Sequence, residues 1–150
     1  MFVGYIKAKE YLIKITATKD AVISIDFIGI EDKKENLNNI VIECKKQLIE
    51  FFEGKRKKID FSYELIGTEF QKEVWNALLS IPYGKTKSYK EVAKAINKEK
   101  GVRAVANAIG ANKLLILVPC HRVIGSNGSL TGFRGGLDKK EMLLKLEGVL

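Results

Sequence analysis

Pro119-Cys120-His121-Arg122-Val123 gathers the groups best suited to chemistry. It joins one of the chain's two cysteines to its only histidine, directly after one of its two prolines. Pro119 fixes its own φ and drives Val118 into extended geometry, so Cys120 is presented on a stiffened backbone. The thiolate, not the thiol, is the nucleophile, and a neighbouring His and Arg favour it. Taken by itself Cys120 reads as an inert buried thiol; its Pro-Cys-His-Arg setting favours the nucleophile. Adjacent side chains rarely face one another, so a bridging water is the expected link between Cys120 and His121. An activated nucleophile usually has its base oriented by a third group. The acids downstream are Asp138, Glu141 and Glu147. Asp138-x-x-Glu141 has capping-box spacing and is expected to open the last helix, which leaves Glu147 as the orienter. The other cysteine, Cys44, sits in an apolar helical stripe and reads as packing.

Several elements must hold this segment in place. Leu114–Val118 is a continuous apolar run, fit for a buried strand or extended segment. Thr68-x-x-Gln71 is a capping box opening a helix through Leu79, which Pro82-Tyr83-Gly84 breaks. Ser88-x-x-Glu91 is another, opening Tyr89–Ile96. After the polar turn Asn97–Gly101, Val102–Ala111 is a helix of mostly small residues, completing a helix-turn-helix pattern. Few of its side chains are long enough to read base edges. Its small face either lets backbone approach another surface closely or packs on a neighbouring helix, and the pattern allows both.

The first half has another character. Phe2–Lys7, Tyr11–Thr18 and Ala21–Phe27 read as strands of an antiparallel meander, turned at Lys9-Glu10 and Lys19-Asp20. Ile13, Ile15 and Ala17 alternate onto one face, as do Ile23, Ile25 and Phe27. Residues 36–53 read as an amphipathic helix with Leu37, Ile40, Val41, Cys44, Leu48, Phe51 and Phe52 in its stripe. Gly54 ends it, and the stretch to Gly67 reads as a linker. The expected organisation is thus an N-terminal α/β domain over 1–65 and a C-terminal domain over 66–150.

Charge follows the same division. Residues 1–65 hold 12 basic and 11 acidic side chains, while 66–150 hold 14 and 7. The second half is the candidate polyanion-binding half, although a lysine-coated surface would give the same arithmetic. Of only four arginines, Arg103, Arg122 and Arg134 lie there, and Arg is favoured where planar, hydrogen-bonded contacts matter. Lys and Glu abundance with two Gln fits a hot source or an A/T-rich genome equally. No apolar run nears the ~20 residues of a membrane span, and Met1–Ala8 lacks a signal-peptide layout. Two Cys and one His cannot complete a four-ligand structural zinc site. A cytoplasmic protein without metal or cofactor is expected.

Pro119–Val123 reads PCHRV, and with it the chain resembles the O6-alkylguanine-DNA alkyltransferases, also called methylated-DNA–protein-cysteine methyltransferases. FQKEVW near 70, IPYGKTKSYKEVA at 81–93, RAVANAIGAN at 103–112, GSNGSLTGFRGGL at 125–137 and KLEG at 145–148 are similar to that family too. The resemblance covers about residues 66–150. It implies an α+β fold: a ribonuclease-H-like small antiparallel sheet plus helix, then a helical, winged-helix-like domain with the helix-turn-helix. It implies DNA repair by direct reversal, in which an alkylated guanine is flipped from duplex DNA and its alkyl group passes irreversibly to Cys120. His121 is then the base through water and Glu147 its orienter. Tyr89 would protonate guanine N3 and lie against a phosphate, and Asn112 would tie down the active-site turn. Val123, Phe133, Arg134 and Gly135, with Tyr89, would bind the base. Arg103 would fill the vacated stack, with Gln71, Lys90, Val102, Ala104 and Ser126 also at the DNA, in its minor groove. A monomer with no obligate protein partner is implied. Three departures stand out: Lys113 where the family usually has Pro, suggesting a looser turn; Phe133 where many members have Tyr; and no zinc-binding set in the first half. Alkyltransferase-like proteins that bind lesions without repair lack the cysteine, which this chain has.

Two other functions compete. A helix-turn-helix regulator accounts for the charge but not for PCHRV, and the small-residue helix disfavours base readout. A cysteine hydrolase would need a histidine from elsewhere in the chain, and there is none.

Overall fold

The computed structural model describes all residues, 1–150. They divide into two compact units, Met1–Ile66 and Gly67–Leu150.

In the first unit β1 (Phe2–Ala8), β2 (Tyr11–Ala17) and β3 (Val22–Ile28) form an antiparallel sheet in sequence order. Ala8 pairs with Tyr11 across Lys9-Glu10, and Lys9 takes the left-handed conformation (φ 58°) that so tight a hairpin requires. Ile13, Ile15 and Ala17 of the central strand are fully buried, as their alternation predicts. In β3 the alternation is broken. The register shifts at Thr16/Ala17, so Val22 and Ile25 are buried while Ile23 and Phe27 are half-buried.

The helix α1 (Asn39–Phe52) starts later than the apolar spacing predicts. Asn36 is drawn off into a bridge with Val3, leaving Leu37 partly exposed before the helix. Asn38 then caps it by accepting the Val41 amide at 2.9 Å. Val41, Cys44, Leu48, Phe51 and Phe52 are buried. A Cβ on Gly4 would stand 2.5 Å from Val41 Cγ1, so the bare backbone of β1 is what lets α1 approach. The stretch after Gly54 does not behave as a linker throughout. Phe61 is buried, and Ser62 and Glu64 bond to both sides of Val22 at 2.9 and 3.0 Å.

The second unit contains α2 (Glu69–Leu78), β4 (Lys87–Ser88), α3 (Tyr89–Ala95), α4 (Val102–Gly110), β5 (Val123–Ile124) and α5 (Leu137–Leu146). Both expected capping boxes, Thr68/Gln71 and Ser88/Glu91, are complete. The helices α3 and α4 are joined through Asn97 and a 3-10 turn at Glu99–Gly101. The small residues of α4 divide their work. Val105, Ala108 and Ile109 are buried, with the Trp75 indole of α2 donating to the Ala108 carbonyl at 2.8 Å. Arg103, Ala104, Asn107 and Gly110 remain exposed on the other side. The parallel pairing of β4 with β5 sets Ser88, the cap of α3, beside Ile124. No helix is long and apolar enough to cross a membrane.

Two expectations are corrected. Leu114–Val118 is a buried turn rather than a strand: Ile116 has φ 76° and Val118 N–H donates to Leu114 O at 2.9 Å. Its apolarity comes from burial, which periodicity alone cannot assign to a strand. Asp138-x-x-Glu141 forms no capping box either. Gly136 (φ 106°) is the N-cap of α5, with no side-chain cap bond, so Asp138 lies already inside the first turn.

Candidate active site

Cys120, His121 and Arg122 form one 3-10 turn at the exit of the buried 114–118 turn. Asn112, just past α4, organises both. Its Oδ1 accepts the Leu114 amide at 2.9 Å, and its Nδ2 donates to Val118 O at 2.9 Å and to Cys120 Sγ at 3.2 Å. Lys113 is exposed and leaves these bonds intact, so the turn is not loosened by the missing proline. Cys120 is 3% exposed.

The His121 ring turns to Glu147, the residue that ends α5. Nε2 and Glu147 Oε2 are 2.6 Å apart. Arg122 grips the same carboxylate: Nε donates to Oε1 at 2.9 Å and Nη2 to Oε2 at 2.9 Å. The Gly84 amide supplies a fourth donor, to Oε1 at 3.0 Å. Gly84 has φ +78°, a conformation that glycine adopts without strain. Arg122 Nη1 donates to Ile81 O at 2.7 Å, and its guanidinium lies 5.7 Å from the centre of the Tyr83 ring. The segment 81–84 thus closes around the ion pair.

Burial alone would raise the Glu147 carboxyl. The His121 and Arg122 hydrogen bonds outweigh it and hold the group down at about 2. Glu147 is therefore an anion at neutral pH, and His121 Nε2–H donates to it. That assigns the lone pair to Nδ1, a buried nitrogen with no hydrogen-bond partner in the protein. Burial lowers the His121 pKa against the pull of Glu147, so the imidazole rests neutral. The expected thiolate is corrected on one point. Arg122 is committed to Glu147, and burial pushes the Cys120 thiol up to about 11, against smaller lowering effects from Asn112 and Lys140. Cys120 rests as a thiol and needs a base. Cys44 has none; burial raises its thiol far more.

Around this centre Tyr89, the first residue of α3, donates its hydroxyl to Thr131 O at 2.9 Å. Tyr89, Val102, Arg103, Asn107, Gly110, Thr131 and Gly132 line a cavity of about 560 Å³. Phe133 is half-buried, and Arg134 Nη1 donates to Asn112 O at 3.1 Å. Gln71 is the capping residue of α2, and Lys90, Ala104 and Ser126 are exposed. Lys140 went unnoticed in the sequence. It is fully buried in α5, donating to Val123 O at 2.6 Å and Thr131 O at 2.7 Å. Burial lowers its ammonium to about 8. A lysine in register with the buried Leu143 and Leu144 is the signal that would have found it.

Residues 69–149 match the family described as 6-O-methylguanine DNA methyltransferase, DNA binding domain. The chain belongs to this methyltransferase family. The inducible methylated-DNA–protein-cysteine methyltransferase of Bacillus subtilis is 59% identical over 101 residues, 67% of this chain and 56% of that protein. The chain therefore spans little more than half the length of this relative. The methyltransferase of Methanosarcina barkeri is 44% identical over 147 residues, covering 98% of this chain and 89% of its own. The Mycobacterium tuberculosis O6-methylguanine methyltransferase superposes with a TM-score of 0.87 at 35% identity, covering 97% and 92% of the two chains. That organism's OGT, solved in complex with DNA, gives 0.83 at 37%, covering 91% and 86%. The mixed α/β architecture, a small antiparallel sheet with helices, is shared with these methyltransferases. The family match takes in the Asn112 hub, the Cys120 turn and the Glu147 carboxylate together.

Proposed function

We propose that this chain repairs O6-alkylguanine in duplex DNA by moving the alkyl group onto Cys120, once per molecule. The observation that carries this reading is a buried thiol beside the chain's only histidine, whose Nε2 is pinned by Glu147 while Nδ1 is free to accept a proton. The names of its relatives support it. The thiol proton passes to His121 Nδ1 through a water. The thiolate attacks the alkyl carbon, the S–C bond forms and the C–O6 bond breaks. Tyr89 gives a proton to guanine N3, so the base leaves neutral, and the proton on His121 makes good the loss. The product thioether has no leaving group, so the sulfur is not regenerated. Asn112 holds the turn. Val123, Phe133, Arg134 and Gly135 with Tyr89 wall the base. Arg103, Gln71, Lys90, Val102, Ala104 and Ser126 meet the DNA in its minor groove, where the small exposed residues of α4 let backbone approach. Residues 66–150 are read as the DNA-binding and active-site domain, winged-helix-like. Residues 1–65 are read as an α/β domain resembling ribonuclease H in its β1-β2-β3-α1 order. We read the protein as a cytoplasmic monomer. Transfer of label from a duplex carrying labelled O6-methylguanine, saturating at one per chain, tests the reading; many turnovers would point to a hydrolase.

Arg103 is assigned the space a flipped base leaves. Base extrusion costs a few kcal/mol, which a side chain filling the gap offsets only in a duplex. Losing ~1.5–3 kcal/mol of that compensation slows repair by about ten- to a hundredfold. Arg103→Ala is therefore expected to react nearly normally with a free alkylated guanine base and slowly with duplex DNA. Equal impairment on both substrates would make Arg103 structural.

Methylation is expected to destabilise the protein. Cys120 is 3% exposed and its sulfur accepts the Asn112 hydrogen bond, so a methyl group overfills the site, at about 1–3 kcal/mol. Differential scanning calorimetry should show the methylated protein melting a few degrees lower. An unchanged or higher Tm would contradict the tight packing.

A further inference from the structure

Arg122 is not needed to complete a Cys-His-Glu relay, yet it is buried and supplies two of the four donors on Glu147. In a relay without it, a lone buried carboxylate would pull a proton onto the imidazole. Such a histidine would rest charged and could not take the thiol's proton. With Arg122 in place, the carboxylate and guanidinium cancel, and both carboxylate oxygens are fully engaged. The pair is held from two further directions, by Ile81 O on Nη1 and the Gly84 amide on Oε1.

We propose that Arg122 is a positioning residue that fixes the charge state of the relay: by neutralising Glu147 it keeps His121 an uncharged base until Cys120 gives up its proton. The inference rests on Cys120 being the alkyl acceptor. The groups acting on His121 come from three segments: Glu147 at the end of α5, which favours the charged ring; Lys140 within α5 and Arg122 in its own turn, which oppose it; and Cys120, whose ionisation favours it. Burial works in the same direction as the two cations. Removing Arg122 takes away one of these opposing charges and leaves the anion uncompensated.

His121 is the only histidine in the chain, so its ring resonances are unambiguous in NMR. In the unmodified protein His121 is expected to stay neutral, as the Nε2–H tautomer, down to below pH 6. In Arg122→Gln its titration is expected to move up by about one unit or more, a tenfold change per unit. Cys120 alkylation by free O6-benzylguanine should then fall roughly tenfold at pH 6.5 relative to the unmodified protein, with most of the loss recovered at pH 8.5. Arg122→Lys, which keeps the charge without the fork, should leave the titration near its original position. A merely structural arginine predicts a loss of rate equal at every pH and no movement of the His121 titration, and that result overturns the proposal. If Arg122→Gln does not fold, the unmodified protein still decides: a His121 that titrates at or above its ordinary 6.5 is incompatible with the assignment. The NMR readout needs no alkyl donor, so its failure is distinguishable from failure of the transfer reading itself.

Discussion

Cys120→Ser binds duplex DNA but does not accept the alkyl group: this is the largest single effect expected. A serine hydroxyl fits the space of the thiol and still accepts from Asn112 Nδ2, so the turn around it is kept. The exposed side of α4 is untouched, so affinity for DNA should change little. The alcohol, however, is far harder to ionise than a thiol, and a neutral imidazole is too weak a base to make up the difference. Transfer should drop by on the order of 10³-fold or more. With the native chain, peptide mapping should place the label on Cys120 alone. Cys44 is fully buried in the α1 stripe, away from any base, and burial holds its thiol protonated. Label on Cys44, or near-native transfer by the serine variant, would remove Cys120 from the mechanism.

Glu147→Gln should cost both stability and rate. The substitution leaves the buried Arg122 guanidinium facing a neutral amide, and breaking one side of a buried pair typically costs ~3–5 kcal/mol. It also removes the acceptor that fixes the Nε2–H tautomer of His121, so proton transfer from the thiol should slow by about a hundredfold or more. Adding Arg122→Gln removes the orphaned charge, so the double variant should regain part of the stability without regaining the rate. The pH dependence has a definite sign. Glu147 titrates at about 2 in the fold against 4.5 in the unfolded chain, so its contribution is fully present above pH 4.5 and disappears as pH falls through 2. At 1.36 kcal/mol per unit the contribution is about 3 kcal/mol. Chemical denaturation at pH 7 and pH 3 measures it. A loss under ~1 kcal/mol in Glu147→Gln would mean that the ion pair is not what holds α5 to the Cys120 turn.

What was legible in the sequence is local. Thr68/Gln71 and Ser88/Glu91 announce their helices because a capping box is a contact between residues three apart. The strands of the first unit are announced by alternation, until the shift at Thr16/Ala17 interrupts it. Glu147 emerged as the orienter although one step of that reasoning fails: Asp138 and Glu141 are not consumed in a cap. They lie on α5 paired with Lys139 and Lys145. The parts that were not legible depend on distant partners. Nothing near Leu114–Val118 announces the left-handed backbone of Ile116; the Asn112 side chain, bonding to Leu114 and Val118, makes the turn. Nothing in PCHRV reveals that its arginine serves Glu147, 25 residues away, rather than the adjacent thiol. Lys140 is similarly a residue whose role appears only once Val123 and Thr131 are folded over it.

The carboxylate at the end of α5 has a consequence for the order in which the molecule comes into being. Chain synthesis delivers the 81–84 segment first, then Asn112, then the Cys120 turn, and Glu147 last. Until α5 has been made and docked, His121 has no fixed tautomer and Arg122 has no anion. A nascent chain already carrying its cysteine therefore has no working proton acceptor beside it, and reactive sulfur chemistry is withheld until translation of the second unit is nearly finished.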